Sequence, residues 1–157
     1  NKKLEVIKKM GIKKVLNIKG DIKKKIMDFT NQKGVNIALD INGFLKCQNI
    51  LSCIKWRGKY LIVGFTDNNI TSIKTNYILI KGLQIFGVRA GEYLRNSTLN
   101  KRKIIIKKVF QLFDLGVFNI KEYKIITFNK LIQGLVSIRD RKSMGKIIVK
   151  TKYYTKY

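Results

Sequence analysis

GVNIALDINGF, residues 34–44, decides the fold. An apolar run that ends on an acid and then breaks at Asn42-Gly43 reads as a buried parallel strand over 35–40. The same cycle recurs on both sides. Downstream, Gly43 opens the helical stretch FLKCQNILSCI with Leu45, Ile50 and Ile54 toward a core, Trp56-Arg57-Gly58 turns, and KYLIVGF (59–65) is the next strand. TDNN (66–69) is a polar loop, TNYILIKG (75–82) a short helix and LQIFGV (83–88) a further strand. Upstream, KVLNI (14–18) reads as a short strand, and Asp21 caps a helix that places Ile22, Ile26 and Phe29 on one face. Four strands at intervals of about 20 to 25 residues, with helices between the first three, demand crossovers rather than hairpins. The expected fold is a doubly wound, parallel α/β sheet.

The flanks read differently. KKLEVIKKM (2–10) is a helix with Leu4, Ile7 and Met10 at helical spacing and Gly11 as its stop. Beyond Gly91 a long amphipathic helix spans about 99–115, its stripe made by Ile105, Val109 and Leu112 with Ile106, Phe110 and Phe113. An extended piece (123–128), a helix over about 129–139 with Leu131, Leu135 and Ile138 inward, and a strand (146–150) follow, and the tail 151–157 is expected to fray.

Composition limits the chemistry. The 157 residues carry 34 Lys+Arg against 9 Asp+Glu, a net charge of +25. That invites a nucleic-acid reading, but the cations are 28 Lys and only 6 Arg, scattered along a chain rich in Ile and Asn and without proline. Phosphate and base-edge recognition favours guanidinium, so the pattern reads as a coding drift, and no specific nucleic-acid partner is expected. With 45% hydrophobic residues there is material for a core, while no run approaches a membrane span. Cys47 and Cys53 read as buried, reduced thiols of a cytoplasmic protein, although their spacing also permits a disulfide. The chain has no histidine, which removes the usual zinc constellations and the Ser/His and Cys/His nucleophiles.

Five phrases in order, KLEVIKKMGIKKVLN (3–17), GVNIALDINGF (34–44), GKYLIVGF (58–65), ILIKGLQIFGVRAGEY (78–93) and RKSMGKIIV (141–149), resemble the C-terminal part of the medium-chain dehydrogenase/reductase superfamily. Within it the likeness is to the zinc-independent NADPH:quinone oxidoreductase branch that includes zeta-crystallin. The resemblance implies that residues 1–92 are part of an NAD(P)-binding Rossmann domain, its third to sixth strands. It implies that 93–157 return to complete a barrel-like, GroES-like catalytic domain. No GxGxxG turn is present. In the 3-2-1-4-5-6 order two further strands would lie between residues 14–18 and 35–40, so the chain reads as a fragment, with a homodimer expected for a full-length member.

The resemblance also implies a site. The cofactor, NADPH or alternatively NADH, would cross the C-terminal strand ends. Lys3 would meet the adenosine ribose or its 2'-phosphate, or be one more solvated lysine. Ile18 stands where the branch often has Tyr or His beside that phosphate. Asn42 and Gly43 match the adenosine side, Asn42 adding a hydrogen bond or tolerating the turn, while Asp40 caps the following helix. Gly64, Phe65 and Thr66 match the nicotinamide half, with Phe65 alternatively a core aromatic. Val88, Arg89 and Ala90 match the carboxamide edge, where Arg89 could meet a substrate acid, a CoA phosphate or Glu92. Arg141 matches a phosphate-reaching arginine or is a solvated helix end. The expected reaction is hydride transfer to a quinone or α,β-unsaturated carbonyl, without a catalytic residue or metal from this stretch. The alternatives are a zinc-dependent alcohol dehydrogenase relative, a basic nucleic-acid module or an inactive remnant.

Overall fold

A computed structural model describes residues 2–43, 47–66, 70, 72–118 and 123–151. Leu45, loop residues 67–69 and the tail 152–157 lie outside the described residues. The chain divides into two compact units, Lys13–Arg102 and Asn1–Ile12 with Lys103–Tyr157.

In the first unit, α1 having preceded it at Lys2–Lys9, α2 (Ile22–Phe29) starts at Asp21, whose carboxylate accepts the Lys24 N–H at 3.0 Å as expected. Then come β1 (Val35–Asp40), α3 (Cys47–Cys53), β2 (Ile54–Ile62), α4 (Thr75–Lys81), β3 (Gln84–Gly87), α5 (Ala90–Arg95) and the start of α6 (Leu99–Asp114). The strands form one parallel sheet in the order β1-β2-β3, with Leu39 opposite Leu61 and Leu61 opposite Phe86. This is the α/β class the apolar runs imply.

The strands differ from expectation in detail. Ile54 opens β2 and does not belong to the preceding helix. Residues 14–18 are not a strand. In the doubly wound order their ladder partner is the second strand and not β1, and no described residue offers them a ladder. Trp56-Arg57-Gly58 is not a turn between elements but a bulge inside β2: Val35 pairs with Ile54 and Ile37 with Lys59, so the extra residues loop out, with Arg57 at φ 59°. Such a bulge borrows the backbone of a turn, which is why it reads as one.

The core gathers Cys47, Leu51, Ile54, Tyr60 and Leu83, with Val35, Ala38, Ile50, Ile62 and Tyr77 packed around them. Helix α3 is pinned at its C-terminus by Lys81, which donates to the carbonyls of Ser52 and, at 2.6 Å, Ile54, groups a helix end leaves without partners. Burial lowers the basicity of Lys81. Both cysteines are free and buried, Cys53 Sγ lying 3.1 Å from the Asn49 carbonyl, and burial raises both thiols, so they pack rather than react. Ile22 is buried as expected, whereas Phe29 is exposed with the Lys14 ammonium 4.5 Å from its ring centroid.

The second unit holds α1, the rest of α6, β4 (Tyr123–Thr127), a 3-10 turn (Phe128–Lys130), α7 (Leu131–Arg139) and β5 (Lys146–Lys150). β4 and β5 pair in parallel from Tyr123–Lys146 to Thr127–Lys150, with α7 between them in sequence. Leu135 and Ile138 are exposed, contrary to the expected inward stripe. The inward position of α7 is Gly134, where a Cβ would come within 2.7 Å of the buried Ile126 side chain. Periodicity finds the apolar residues but not the close approach that only glycine allows. The α6 stripe is likewise open, with Ile106, Val109, Phe110 and Phe113 all exposed. Among the described residues no helix is long and apolar enough to cross a membrane.

Candidate functional site

The C-terminal ends of β1, β2 and β3 lie side by side, the edge at which open α/β sheets bind ligands. Asp40, the last residue of β1, organises the first of these ends. Its Oδ1 accepts the backbone N–H groups of Asn42 at 3.0 Å and Gly43 at 2.9 Å. It thereby caps the turn that leads from β1 toward α3, which starts at Cys47. Its Oδ2 accepts the Tyr60 hydroxyl at 2.6 Å.

The turn after β1 is tied to the segment after β2. Val63 N–H donates to the Asp40 carbonyl at 2.8 Å, continuing the ladder, and Thr66 N–H donates to the Asn42 carbonyl at 2.9 Å. The Thr66 hydroxyl bonds the Asn42 side-chain oxygen, also at 2.9 Å. Gly43 has φ 72°, and a Cβ there would run into the Phe65 ring. Only glycine permits both the left-handed backbone and the ring against it. Asn42, Gly43, Gly64, Phe65 and Thr66 are thus brought together, and Phe65, 52% exposed, is not the core aromatic of its alternative reading.

The third strand end joins through Val88, whose N–H donates to the Ile62 carbonyl at 2.7 Å. Arg89 and Ala90 follow at the start of α5, where Glu92 lies 3.6 Å from Arg89 and 2.8 Å from Arg95. Arg89 therefore has the Glu92 contact that was one of its expected roles, through an exposed side chain. Lys3 and Arg141 belong to the other unit. There the Lys3 ammonium donates to the Arg141 carbonyl at 2.7 Å, and Arg141 itself takes a left-handed backbone, φ 55°, just past α7.

A cavity of about 260 Å³ adjoins the end of β1, lined by Leu16, Ile18, Ile26, Ile41, Asn42 and Tyr60 among others. Apolar walls with a few polar groups at one end suit a ring-bearing ligand. A cavity of about 580 Å³ in the other unit, beside β4 and α7, contains none of the expected site residues. The strand ends thus offer one such apolar cavity, beside β1, that could take a ring of a dinucleotide. The turn that would cradle its pyrophosphate is not in this sequence.

Tyr60 is the residue that sequence reasoning missed. It sits in an otherwise aliphatic run and reads as packing. The signal was its pairing: Ala38 opposes Tyr60 and Asp40 opposes Ile62, which puts Asp40 and Tyr60 on one face at diagonal positions. Burial, then the Asp40 carboxylate, pushes the Tyr60 phenol up. In the unfolded chain the phenol ionises near pH 10, while the folded chain holds the proton to higher pH. Stability is therefore expected to be constant with respect to this group below about pH 10 and to fall above it. Urea midpoints measured between pH 8 and 11 should show a smaller alkaline loss in Tyr60→Phe than in the wild type; equal losses would dismiss the linkage.

Comparison with known proteins bears on this edge. Residues 1–103 match a family model described as zinc-binding dehydrogenase. A quinone oxidoreductase-like protein 2 homolog from Nematostella vectensis is 26% identical over 153 residues, covering 96% of this chain and 41% of that protein. An L-threonine 3-dehydrogenase from Pyrococcus horikoshii is 26% identical over 146 residues, covering 92% and 40%. Among solved structures, the CurK enoyl reductase superposes with a TM-score of 0.76 at 18% identity, over 96% of this chain and 45% of that one. The chain spans about two fifths of the length of the curated relatives it matches.

Proposed function

Because the chain belongs to the zinc-binding dehydrogenase family, within the medium-chain dehydrogenase/reductase superfamily, we propose that it is part of an NAD(P)H-dependent oxidoreductase acting on a quinone or an α,β-unsaturated carbonyl. The observation that carries this reading is the joined strand-end crevice, in a chain similar over nearly its whole length to a quinone oxidoreductase-like protein.

A bound nicotinamide supplies the hydride. The chain's own residues bind and orient. Asn42, Gly43 and the cavity beside them take the adenosine side, and Gly64, Phe65 and Thr66 the ring side. The backbone at Val88 and Ala90 holds the carboxamide edge, and Arg89 attracts an anionic substituent of the substrate. Lys3 and Arg141 are proposed contacts to the cofactor's phosphates, NADPH being the preferred form. Orientation and exclusion of water account for the rate; the hydroxyls of Thr66 and Tyr60 are committed to Asn42 and Asp40. Zinc does not fit these residues. The two cysteines are buried in the core and the chain has no histidine, so no step is routed through metal. A cytoplasmic location and a homodimer accompany the reading. The similarity to an L-threonine 3-dehydrogenase favours a second one, oxidation of an alcohol.

Titrating NADPH and NADH into the 157-residue chain, and into the longest polypeptide its gene encodes, should quench or shift nicotinamide fluorescence. Adding a quinone or an enone should then oxidise the cofactor. Threonine-dependent reduction of NAD without quinone activity would move the assignment to alcohol oxidation. Failure of both polypeptides to bind either cofactor would falsify it.

A further inference from the structure

We propose that Tyr60 and Asp40 are positioning residues, which lock the loops after β1 and β2 into the one geometry that a cofactor would meet. The assignment rests on the crevice being the nicotinamide site.

Tyr60 is 2% exposed and fixed by the cluster of Cys47, Leu51 and Leu83. Phenylalanine would bury as much apolar surface, so packing does not account for the hydroxyl. That hydroxyl is 2.6 Å from Asp40 Oδ2. The same carboxylate's Oδ1 holds two consecutive N–H groups, those of Asn42 and Gly43. Asn42 in turn accepts from Thr66 at both its main-chain and its side-chain oxygen. Gly43 carries the Phe65 ring against it. One continuous path therefore links a rigid core side chain to every residue expected at the first two strand ends except Gly64. A carboxylate held by charge-assisted bonds from both sides has little freedom, and neither does the turn it caps.

The path also sets chemistry. Thr66 takes one lone pair of the Asn42 side-chain oxygen and fixes the amide plane, which sets the direction in which its Nδ2 donor pair is offered to a ligand. A donor suits an acceptor oxygen of ribose or phosphate. Arg89, at the third strand end, is held instead by its exposed pairing with Glu92, which gives adaptability where a substrate substituent would vary.

The experiment uses the 157-residue chain as wild type, Tyr60→Phe, Asp40→Asn and, as a core control, Leu83→Val. Amide hydrogen exchange is followed at Asn42, Gly43 and Thr66, and at Leu61 and Ile126 for reference. In Tyr60→Phe the three loop amides are expected to exchange about tenfold faster, the equivalent of one hydrogen bond, with Leu61 and Ile126 unchanged. Asp40→Asn should affect Asn42 and Gly43 in the same selective way, and Leu83→Val should not. Loop amides that keep wild-type rates in Tyr60→Phe, or change only in step with Leu61, overturn the proposal. NADPH affinity is measured in parallel. A severalfold rise in Kd for Tyr60→Phe with an unchanged melt supports positioning, and unchanged affinity with loosened loops overturns it. If the wild type binds neither cofactor, the functional reading fails there, while the exchange rates still decide whether the loops are locked.

Discussion

Leu51→Ala is expected to remove about 3 kcal/mol of stability from the unit that carries the crevice. Leu51 is fully buried on α3, between Cys47, Ile54, Tyr60 and Leu83. Truncating it loses the transfer energy of the removed atoms and leaves a cavity that a helix pinned by Lys81 cannot collapse to fill. Against a typical domain stability of about 5–15 kcal/mol this is a large fraction. The chain's single tryptophan, Trp56, lies in the same unit, so its emission during urea unfolding reports the change. Phe110→Ala is the contrast. Phe110 is a larger side chain but 63% exposed on α6, and its truncation should cost under about 0.5 kcal/mol. Equal losses for the two would mean that α6 is covered and that the Leu51 cluster is not the principal core.

Gly43→Val is expected to have the largest effect on the crevice. A β-branched residue at φ 72° is strained by about 1–2 kcal/mol or more, and its Cβ would claim the space of the Phe65 ring. The ring must leave, and the paired bonds between Thr66 and Asn42 cannot persist if the segment carrying Phe65 shifts. In a preparation that binds NADPH, Kd should rise by about thirtyfold, the equivalent of about 2 kcal/mol, with the Trp56-reported midpoint lowered less than in Leu51→Ala. Wild-type affinity in Gly43→Val would take Gly43 and Phe65 out of the binding site.

The sheet was legible because strands of a parallel sheet write themselves as short apolar runs, and 35–40, 59–62 and 84–87 all appear where those runs stand, although 35–40 is not the buried strand expected: Ile37 and Leu39 are exposed, as is Phe86 in β3. Residues 14–18 have the same composition without a ladder, since a strand also needs a neighbour and composition does not record one. The bulge at Trp56-Arg57-Gly58 was hidden because a turn and a looped-out strand segment share backbone conformation. On α7 the helical period marked Leu135 and Ile138, while the contact was made by Gly134, a residue with no side chain to score. The grouping of Asn42 and Gly43 with Phe65 and Thr66 followed from the strand-end rule. The Tyr60–Asp40 bond did not, because it depends on a cross-strand diagonal that appears only once β1 and β2 are in register.

The division into units has a consequence for the order in which the chain can fold. Lys13–Arg102 is continuous in sequence, whereas the other unit is assembled from Asn1–Ile12 and Lys103–Tyr157. The Lys3–Arg141 hydrogen bond joins residues 138 apart. Bringing the two segments together across an unfolded insert of 90 residues, 13 through 102, costs about 4 kcal/mol of chain entropy. Once the insert has folded on its own local contacts, much of that cost is already met. Connectivity thus makes the crevice-bearing unit the template and the discontinuous unit its dependent, so damage to the Leu51 core is felt in the pairing of Lys3 with Arg141.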